Sequence, residues 1–317
     1  MSTNNRPRVM VIGGGQNCEH SVSIATAAAV AGALDRERYE VESITITEQG
    51  LWLRPGGEPV PLHVVSEADV VFPVLHGPRG EDGTLAALCE LAGVPYVGSG
   101  VRAGAIGMDK WATKLVAEAL GIRTATAALV TGKGPRSLPP LPVVVKPVAA
   151  GSSYGVTRVD HEADLDAALA AALALDDRVL VEEVVHGREI DIAVLGRPDG
   201  SHLIGPPLEI VLPDGGIFDT DRKYGGTAQF RLPAVLDADE LTRLETAALT
   251  MFEALGCAGV ARLDFFLTHT GLVLNEVNTT PGMTEQSQVP KMFAAVGISY
   301  TALLTELVEA ALARKGT

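Results

Sequence analysis

Two stretches near the end of the chain, ARLDFFL (261–267) and LVLNEVN (272–278), are separated only by the turn-like THTG. They constrain the chain strongly because side chains alternate between the two faces of a strand. Arg262, Asp264 and Phe266 then share one face, and Leu263 and Phe265 take the other. On the second stretch Glu276 and Asn278 share a face while Val277 turns away. Paired as a hairpin, the two strands bring Asp264, Glu276 and Asn278 to one point with Arg262 beside them. Two carboxylates and an amide oxygen suit a hard cation such as Mg2+, which keeps phosphate oxygens and waters in its shell. The alternative is the solvated polar face of a half-buried hairpin.

The rest of the chain must supply a context for that point. A length of 317 residues exceeds one ordinary core and predicts two or three. At 47% hydrophobic, 20% charged and only 4% aromatic, the cores are built from aliphatic side chains. A net charge of −14 argues against a nucleic-acid backbone or an anionic membrane as the main partner. An anionic small ligand would need a locally basic pocket. Cys18, Cys89 and Cys257 are odd in number and contain no CxxC, which argues for three thiols in a reducing cytosol rather than disulfides or zinc. No charged leader precedes an apolar run, and no run approaches the ~18–20 apolar residues that span a bilayer. A cytoplasmic protein is expected.

Strand-like RVMVI (8–12), VESITI (41–46) and DVVFPVL (69–75) alternate with helix-like stretches from Ser21 to Leu34 and from Gly83 to Ala92. That alternation predicts a mostly parallel sheet with helices on both faces. Turn-rich GVPYVGSG (93–100) marks a first boundary. A helix from Asp109 to Leu120, a Pro/Gly-rich connector (132–142), a hairpin around Gly151–Gly155, an Ala/Leu helix (164–175) and RVLVEEVV (178–185) follow. A second boundary closes that unit. The last third predicts a helix near 238–255, the hairpin described above, and a closing helix around 300–314.

Several segments carry possible chemistry. In VVVKPVAAGSSYGVTRV (143–159), Lys146 ends a buried strand, an expensive place for an ammonium without a partner. Gly151 and Gly155 admit backbone N–H groups close to a ligand, and Ser152 and Ser153 add hydroxyls, so the loop reads as a phosphate cradle or as a plain hairpin turn. It is not a Walker A loop, which needs GK[ST] opening a helix. VEEVVHGRE (181–189) offers backbone groups for an adenine edge and carboxylates for ribose, or solvated glutamates. GGGQNCEHSVS (13–23) lacks the third glycine of a dinucleotide fingerprint, which disfavours an NAD-dependent oxidoreductase; it places Glu19 and His20 at a helix entrance. LHGPRGEDG (75–83) adds His76, Arg79, Glu81 and Asp82 in a second loop at the carboxyl end of a strand, where ligands of open α/β sheets bind. TDRKYGGTAQFRLPA (220–234) reads as a lid or a surface loop.

Taken in order, GGGQNCEHSVS, LHGPRGEDGTL, MDKWATK, VVVKPVAAGSSYG, VEEVVHGRE, the Lys223–Tyr224 loop and ARLDFF…NEVNTTPGMTEQS resemble the D-alanine–D-alanine ligases of the ATP-grasp superfamily. The likeness runs from about residue 9 to 300, and HGxxGEDG and NExNTxPGMT are its specific parts. It implies an α/β (α+β) ATP-grasp fold in three domains. These are an N-terminal open α/β substrate-binding domain (1–98), a central ATP-grasp subdomain (99–185), and a C-terminal ATP-grasp and metal-binding domain (186–317), the last two gripping ATP between their sheets. It also implies ATP-dependent ligation of two D-alanines through an acyl-phosphate for peptidoglycan and cell-wall synthesis.

By the same resemblance, Asp264, Glu276 and Asn278 bind two Mg2+, with Mn2+ able to substitute. Lys110 and Lys146 hold the α/β-phosphates, Ser152 and Ser153 lie over the β/γ end, and Lys223 reaches the γ-phosphate. Glu182, Glu183 through its backbone, Val185 and Glu189 hold adenine and ribose. Glu19 binds the first D-alanine's ammonium, buttressed by Ser152 and Tyr224, with His76 nearby. Arg262 and the Gly282 N–H form the oxyanion site, and Ser287 grips the second carboxylate beside Gln288. A homodimer is implied. The sequence departs from the family pattern at Glu183, where lysine is usual, at Gln288, where leucine lines the second pocket, and at Ala149–Ala150, where charged residues are common. Two other readings stand. One is an ATP-grasp ligase joining D-alanine or another amino acid to a more polar second substrate. The other is a non-catalytic nucleotide-binding paralogue, against which every metal and phosphate position carries a competent residue.

Overall fold

The computed structural model describes residues 6–132, 137–211 and 229–314. Its first sheet has the order β4-β3-β2-β1-β5. The chain enters on β1 (Arg8–Gly14), crosses by α1 (His20–Ala33) to β2 (Glu40–Ile46), and turns through the short β3 (Trp52–Leu53) and β4 (Pro59–Val60). A 3-10 turn (Leu62–Glu67) leads to β5 (Val70–Pro73), and α2 (Thr84–Ala92) follows. β1 pairs in parallel with both β2 and β5, so its apolar run is covered on both faces. Val9 and Val11 pack with Val30 and Ala31 of α1, whereas Met10 and Ile12 pack with Val64, Leu85 and Cys89 on the other side.

Two helices then connect to the rest of the molecule: α3 (Val101–Met108) and α4 (Lys110–Ala119). The stretch forming α3 carries two glycines and gives no helical signal in the sequence. A Cβ on Gly104 would lie 2.7 Å from the Glu81 carbonyl oxygen, so glycine is needed for the helix to sit against the 75–83 loop. α4 begins at Asp109, whose Oδ1 accepts from Ala112 N at 2.9 Å and whose Oδ2 accepts from Arg178 Nη2 at 2.6 Å. A capped, tethered helix start fixes Lys110 as its first residue.

The second sheet is antiparallel, in the order β6-β9-β7-β8. It comprises β6 (Ala127–Val130), β7 (Val143–Pro147) and β8 (Thr157–Val159), then α5 (Glu162–Leu173) and β9 (Val179–Glu183). Val143, Val145, Val159, Val179 and Val181 bury one face against Leu169 and Ala172 of α5. β6 and the later helix over Gln288–Ala294 were not anticipated.

The third sheet runs β13-β12-β10-β14-β15, with β11 beside β10. Its members are β10 (Arg188–Gly196), β11 (His202–Ile204), β12 (Leu208–Val211), β13 (Gln229–Arg231), then α6 (Ala238–Leu255), β14 (Val260–Thr268) and β15 (Gly271–Asn278). α6 opens on a capping box made by Asp237 and Glu240. Ile190, Ile192, Leu263 and Phe265 bury one face against Phe252 and Leu255 of α6, with Ala103 of α3 and Ala117 of α4 in the same core. Each such Leu or Phe contributes about 1.5–3 kcal/mol relative to exposure. The chain closes with α7 (Gln288–Ala294) and α8 (Tyr300–Ala313).

The loop expected over 220–234 is shorter at its C-terminal end. Gln229–Arg231 is an edge strand paired with Glu209–Val211, while Lys223 and Tyr224 lie outside the described residues. No helix among the described residues is long and apolar enough to cross a membrane.

Candidate active site

Opposite the cores, the second and third sheets turn their polar faces to one cavity of about 840 Å3, which loops of the first sheet close at one end. The hairpin face is built in register. Arg262 pairs with Asn278, and Asp264 pairs with Glu276. Beyond Asp264 the register shifts, so that Phe265 pairs with Leu274. This bulge makes Asn275 the extra residue, and its Oδ1 lies 3.5 Å from Lys146 Nζ.

Arg262 grips Asp264 through two bonds, Nε to Oδ1 at 2.7 Å and Nη2 to Oδ2 at 2.8 Å. Burial opposes the Arg262 charge, but Asp264, Asp191 and Glu276 hold its pKa above the ordinary value. Asn278 Oδ1 is buried without a hydrogen-bond partner among the described residues, which costs about 1–3 kcal/mol unless something satisfies it. Glu276 is met by Lys110 Nζ at 3.5 Å. Two carboxylates and an orphaned amide oxygen therefore fit a hard divalent ion, with Arg262 holding the cation's place on Asp264. Among the described residues no three His, Cys, Asp or Glu side chains gather into a metal cluster, so an ion would draw its remaining ligands from phosphate oxygens and water.

On the opposite wall Glu182 is buried, with Lys114 Nζ 2.8 Å from Oε1 and Lys146 Nζ 2.6 Å from Oε2. Burial pushes Glu182 up, but the two lysines outweigh it and hold it below the usual carboxylate range. Lys114 is pulled down by burial against the resistance of Glu182. Lys110 Nζ also donates to the Ala150 carbonyl at 2.7 Å. The basic pocket that an acidic protein needs for an anionic ligand is thus present.

The third wall is acidic. Glu19, at the entrance to α1, is buried, and its Oε1 accepts from Ser152 Oγ. A Cβ on Gly151 would lie 2.5 Å from Glu19 Oε2, so a larger residue here would push the carboxylate from its place. Ser152 and Ser153 sit at φ 49° and 59°, a strained pair costing about 1–3 kcal/mol each, of the kind found at ligand clamps. His76 is buried, its Nδ1 donating to the Thr280 carbonyl at 3.1 Å. Burial pulls its pKa down, partly offset by Glu19. Burial, then the Glu19 charge, push Glu81 up to about 8, although Gly77 N–H donates to it. Ser287 Oγ, just before α7, bonds Thr284 N at 3.1 Å and Thr284 Oγ1 at 2.8 Å, and Gly282 lies alongside.

Residues 136–309 match the family model described as the D-ala D-ala ligase C-terminus, and residues 8–64 and 59–99 match the D-ala D-ala ligase N-terminus. The chain belongs to the D-alanine–D-alanine ligase family. A relative from Nocardia farcinica named D-alanine--D-alanine ligase is 43% identical, over 98% of each chain. Among solved structures, the VanG D-Ala:D-Ser ligase from Enterococcus faecalis superposes with a TM-score of 0.84 at 34% identity, covering 96% of this chain and 99% of that one. The D-alanine–D-alanine ligase from Bacillus anthracis, solved in complex with ATP, gives 0.80 at 28% identity, covering 98% of both. The fold is that of the ATP-grasp proteins.

In this D-alanine–D-alanine ligase family member, the cavity gathers Glu19, His76, Lys110, Lys146, Ser152, Ser153, Glu182, Val185, Glu189, Arg262, Asp264, Glu276, Asn278, Gly282, Ser287 and Gln288. Glu183 also borders it, but its exposed side chain accepts from Thr126 N at 2.8 Å and its N–H donates to the Thr126 carbonyl at 2.9 Å. Lys223 and Tyr224 lie outside the described residues. Sequence reasoning missed Lys114, Asp191 and the titration of Glu81. Lys114 was within reach, because it stands four residues after Lys110 and so on the same face of α4. Asp191 gave no signal, being one acidic residue in an apolar strand.

Proposed function

We propose that the chain joins two D-alanines into D-alanyl-D-alanine, with ATP converted to ADP and phosphate through an acyl-phosphate, as a step of peptidoglycan precursor synthesis. The observation that carries this reading is one cavity holding a buried acceptor for an ammonium, Glu19 with Ser152, opposite paired lysines and a carboxylate–amide set. The names of the curated relatives support the substrate, and the ATP-bound relative supports the nucleotide.

Glu19 holds the first amino acid's ammonium, so its carboxylate faces the phosphate end of the cavity. Lys110, Lys146 and the Ser152–Ser153 loop bind and orient the phosphates, and Lys223 completes the set. Glu182, the backbone of Glu183, Val185 and Glu189 hold adenine and ribose. Asp264, Glu276 and Asn278 would hold two Mg2+, which when bound neutralise charge spread over the transferring phosphoryl group. The carboxylate attacks the γ-phosphorus, ADP leaves, and the amine of the second amino acid, once deprotonated, attacks the acyl carbon. Ser287 and Gln288 place that second molecule. Arg262 and the Gly282 N–H stabilise the oxyanion, a contribution of about 3–4 kcal/mol per donor elsewhere. Phosphate then departs. Excluding water protects the acyl-phosphate from hydrolysis, the task we assign to the 220–234 loop. The division into units 1–98, 99–185 and 186–317, a homodimer and a cytoplasmic location complete the proposal.

A second reading keeps the same machinery with a more polar second substrate. Gln288, half-buried in the cavity beside Ser287, is the observation that favours it. Phosphate release from ATP and Mg2+ with single D- and L-amino acids and their pairs, with mass analysis of products, tests both. D-alanine alone giving D-alanyl-D-alanine supports the first reading, turnover only with a polar partner such as D-serine supports the second, and no turnover with any acid refutes both.

A further inference from the structure

Arg262 is the only guanidinium within 4 Å of two cavity carboxylates among the described residues of β14 and β10. Its Nε lies 2.7 Å from Asp264 Oδ1 and 3.6 Å from Asp191 Oδ2. Asp191 stands on β10 directly across from Asp264, with Ala193 across from Arg262. The two aspartates therefore share one sheet face and reach the guanidinium from adjoining strands. Asp191 is 1% exposed, and a carboxylate that deep inside a protein is expensive unless a cation answers it. Its neighbours Ile190 and Ile192 fill the core on the other face, so its inward direction is set by strand alternation.

This arrangement has a conflict built into it. Both Asp264 oxygens are engaged by Arg262, yet the metal reading requires those same oxygens. An ion arriving at Asp264 competes with the guanidinium for those oxygens, and a buried guanidinium released without a new partner would cost several kcal/mol. Asp191 is the carboxylate in position to receive it.

We propose that Asp191 is a positioning residue that takes over Arg262 when a divalent ion occupies Asp264, so that ion binding and the orientation of Arg262 for the oxyanion are coupled. The inference rests on the metal site proposed above. It makes Asp191 act through Arg262 and not as an ion ligand.

The test is Mn2+ binding to the full-length enzyme, read by the electron paramagnetic resonance signal of free Mn2+, in wild type and five variants. Asp264→Asn must weaken binding; if it does not, the metal site itself is misplaced, which is a different failure from that of the present inference. Asp191→Asn should weaken Mn2+ binding about tenfold and lower kcat with little change in KM for D-alanine, and Asp191→Glu should restore affinity to within about threefold. The deciding variant is Arg262→Gln, in which nothing competes for Asp264. It should bind Mn2+ at least as tightly as wild type, and adding Asp191→Asn to it should change nothing further. An unchanged affinity in Asp191→Asn overturns the proposal. So does an equal loss in the Arg262→Gln background, which would make Asp191 a ligand or a plain source of negative potential. Because Arg262→Gln is read by ion binding, its loss of catalysis does not affect the result.

Discussion

Glu81 offers a prediction whose sign and size both follow from its surroundings. Its carboxyl lies in the 75–83 loop near Glu19, and burial together with that neighbouring charge raises its pKa from the ordinary 4.5 to about 8. At 1.36 kcal/mol per unit this is on the order of 5 kcal/mol between the two protonation states. In the unfolded chain Glu81 loses its proton near 4.5, while in the folded protein it keeps it to about 8. Between those limits the unfolded state binds fewer protons, so this group lowers stability as pH rises, by up to ~1.4 kcal/mol per unit. Glu81→Gln removes the titration while keeping an oxygen for Gly77 N–H. From pH 5 to pH 8 the stability of the variant relative to wild type should rise by about 3–4 kcal/mol. Thermal midpoints measured at each unit of pH should then diverge by roughly 5 °C or more. Comparing the two proteins cancels every other titrating group. A difference that stays constant within about 1 °C over this range would refute the argument that Glu81 is held protonated.

Two further predictions concern the cavity walls. Gly151→Ala puts a methyl 2.5 Å from Glu19 Oε2 and should raise KM for the first amino acid about tenfold or more while KM for ATP changes far less, as initial rates in the two substrates will read. Glu182→Gln leaves Lys114 and Lys146 facing each other in a buried site; breaking such a pairing costs about 3–5 kcal/mol, and a thermal midpoint lowered by less than ~2 °C would count against the triad.

Much of the architecture was legible because it rests on local pattern. The hairpin face of Arg262, Asp264, Glu276 and Asn278 followed from strand alternation, and the observed register pairs those residues directly. The N-terminal parallel strands were marked by continuous apolar runs and the glycines that end them. What escaped was set by tertiary contact. α3 was hidden because its Gly104 answers to the carbonyl of Glu81, not to helix propensity. The bulge at Asn275 leaves no trace in the alternating pattern that precedes it. The ion pairs were the least visible. That Lys114 and Lys146 meet on Glu182, and that Arg262 is bound by Asp264 with Asp191 behind it, depends on β7 pairing with β9 beside α4 and on β10 pairing with β14, elements far apart in the sequence.

The central claim is that a carboxylate oxygen is passed to the γ-phosphorus of ATP before the new amide forms. The measurement that tests it most directly uses D-alanine with both carboxylate oxygens labelled with 18O, incubated with the enzyme, Mg2+ and unlabelled ATP, followed by mass analysis of phosphate and dipeptide. The acyl-phosphate route predicts one 18O in each inorganic phosphate released for each D-alanyl-D-alanine formed. Label appearing in AMP, or dipeptide forming with unlabelled phosphate, would contradict the account.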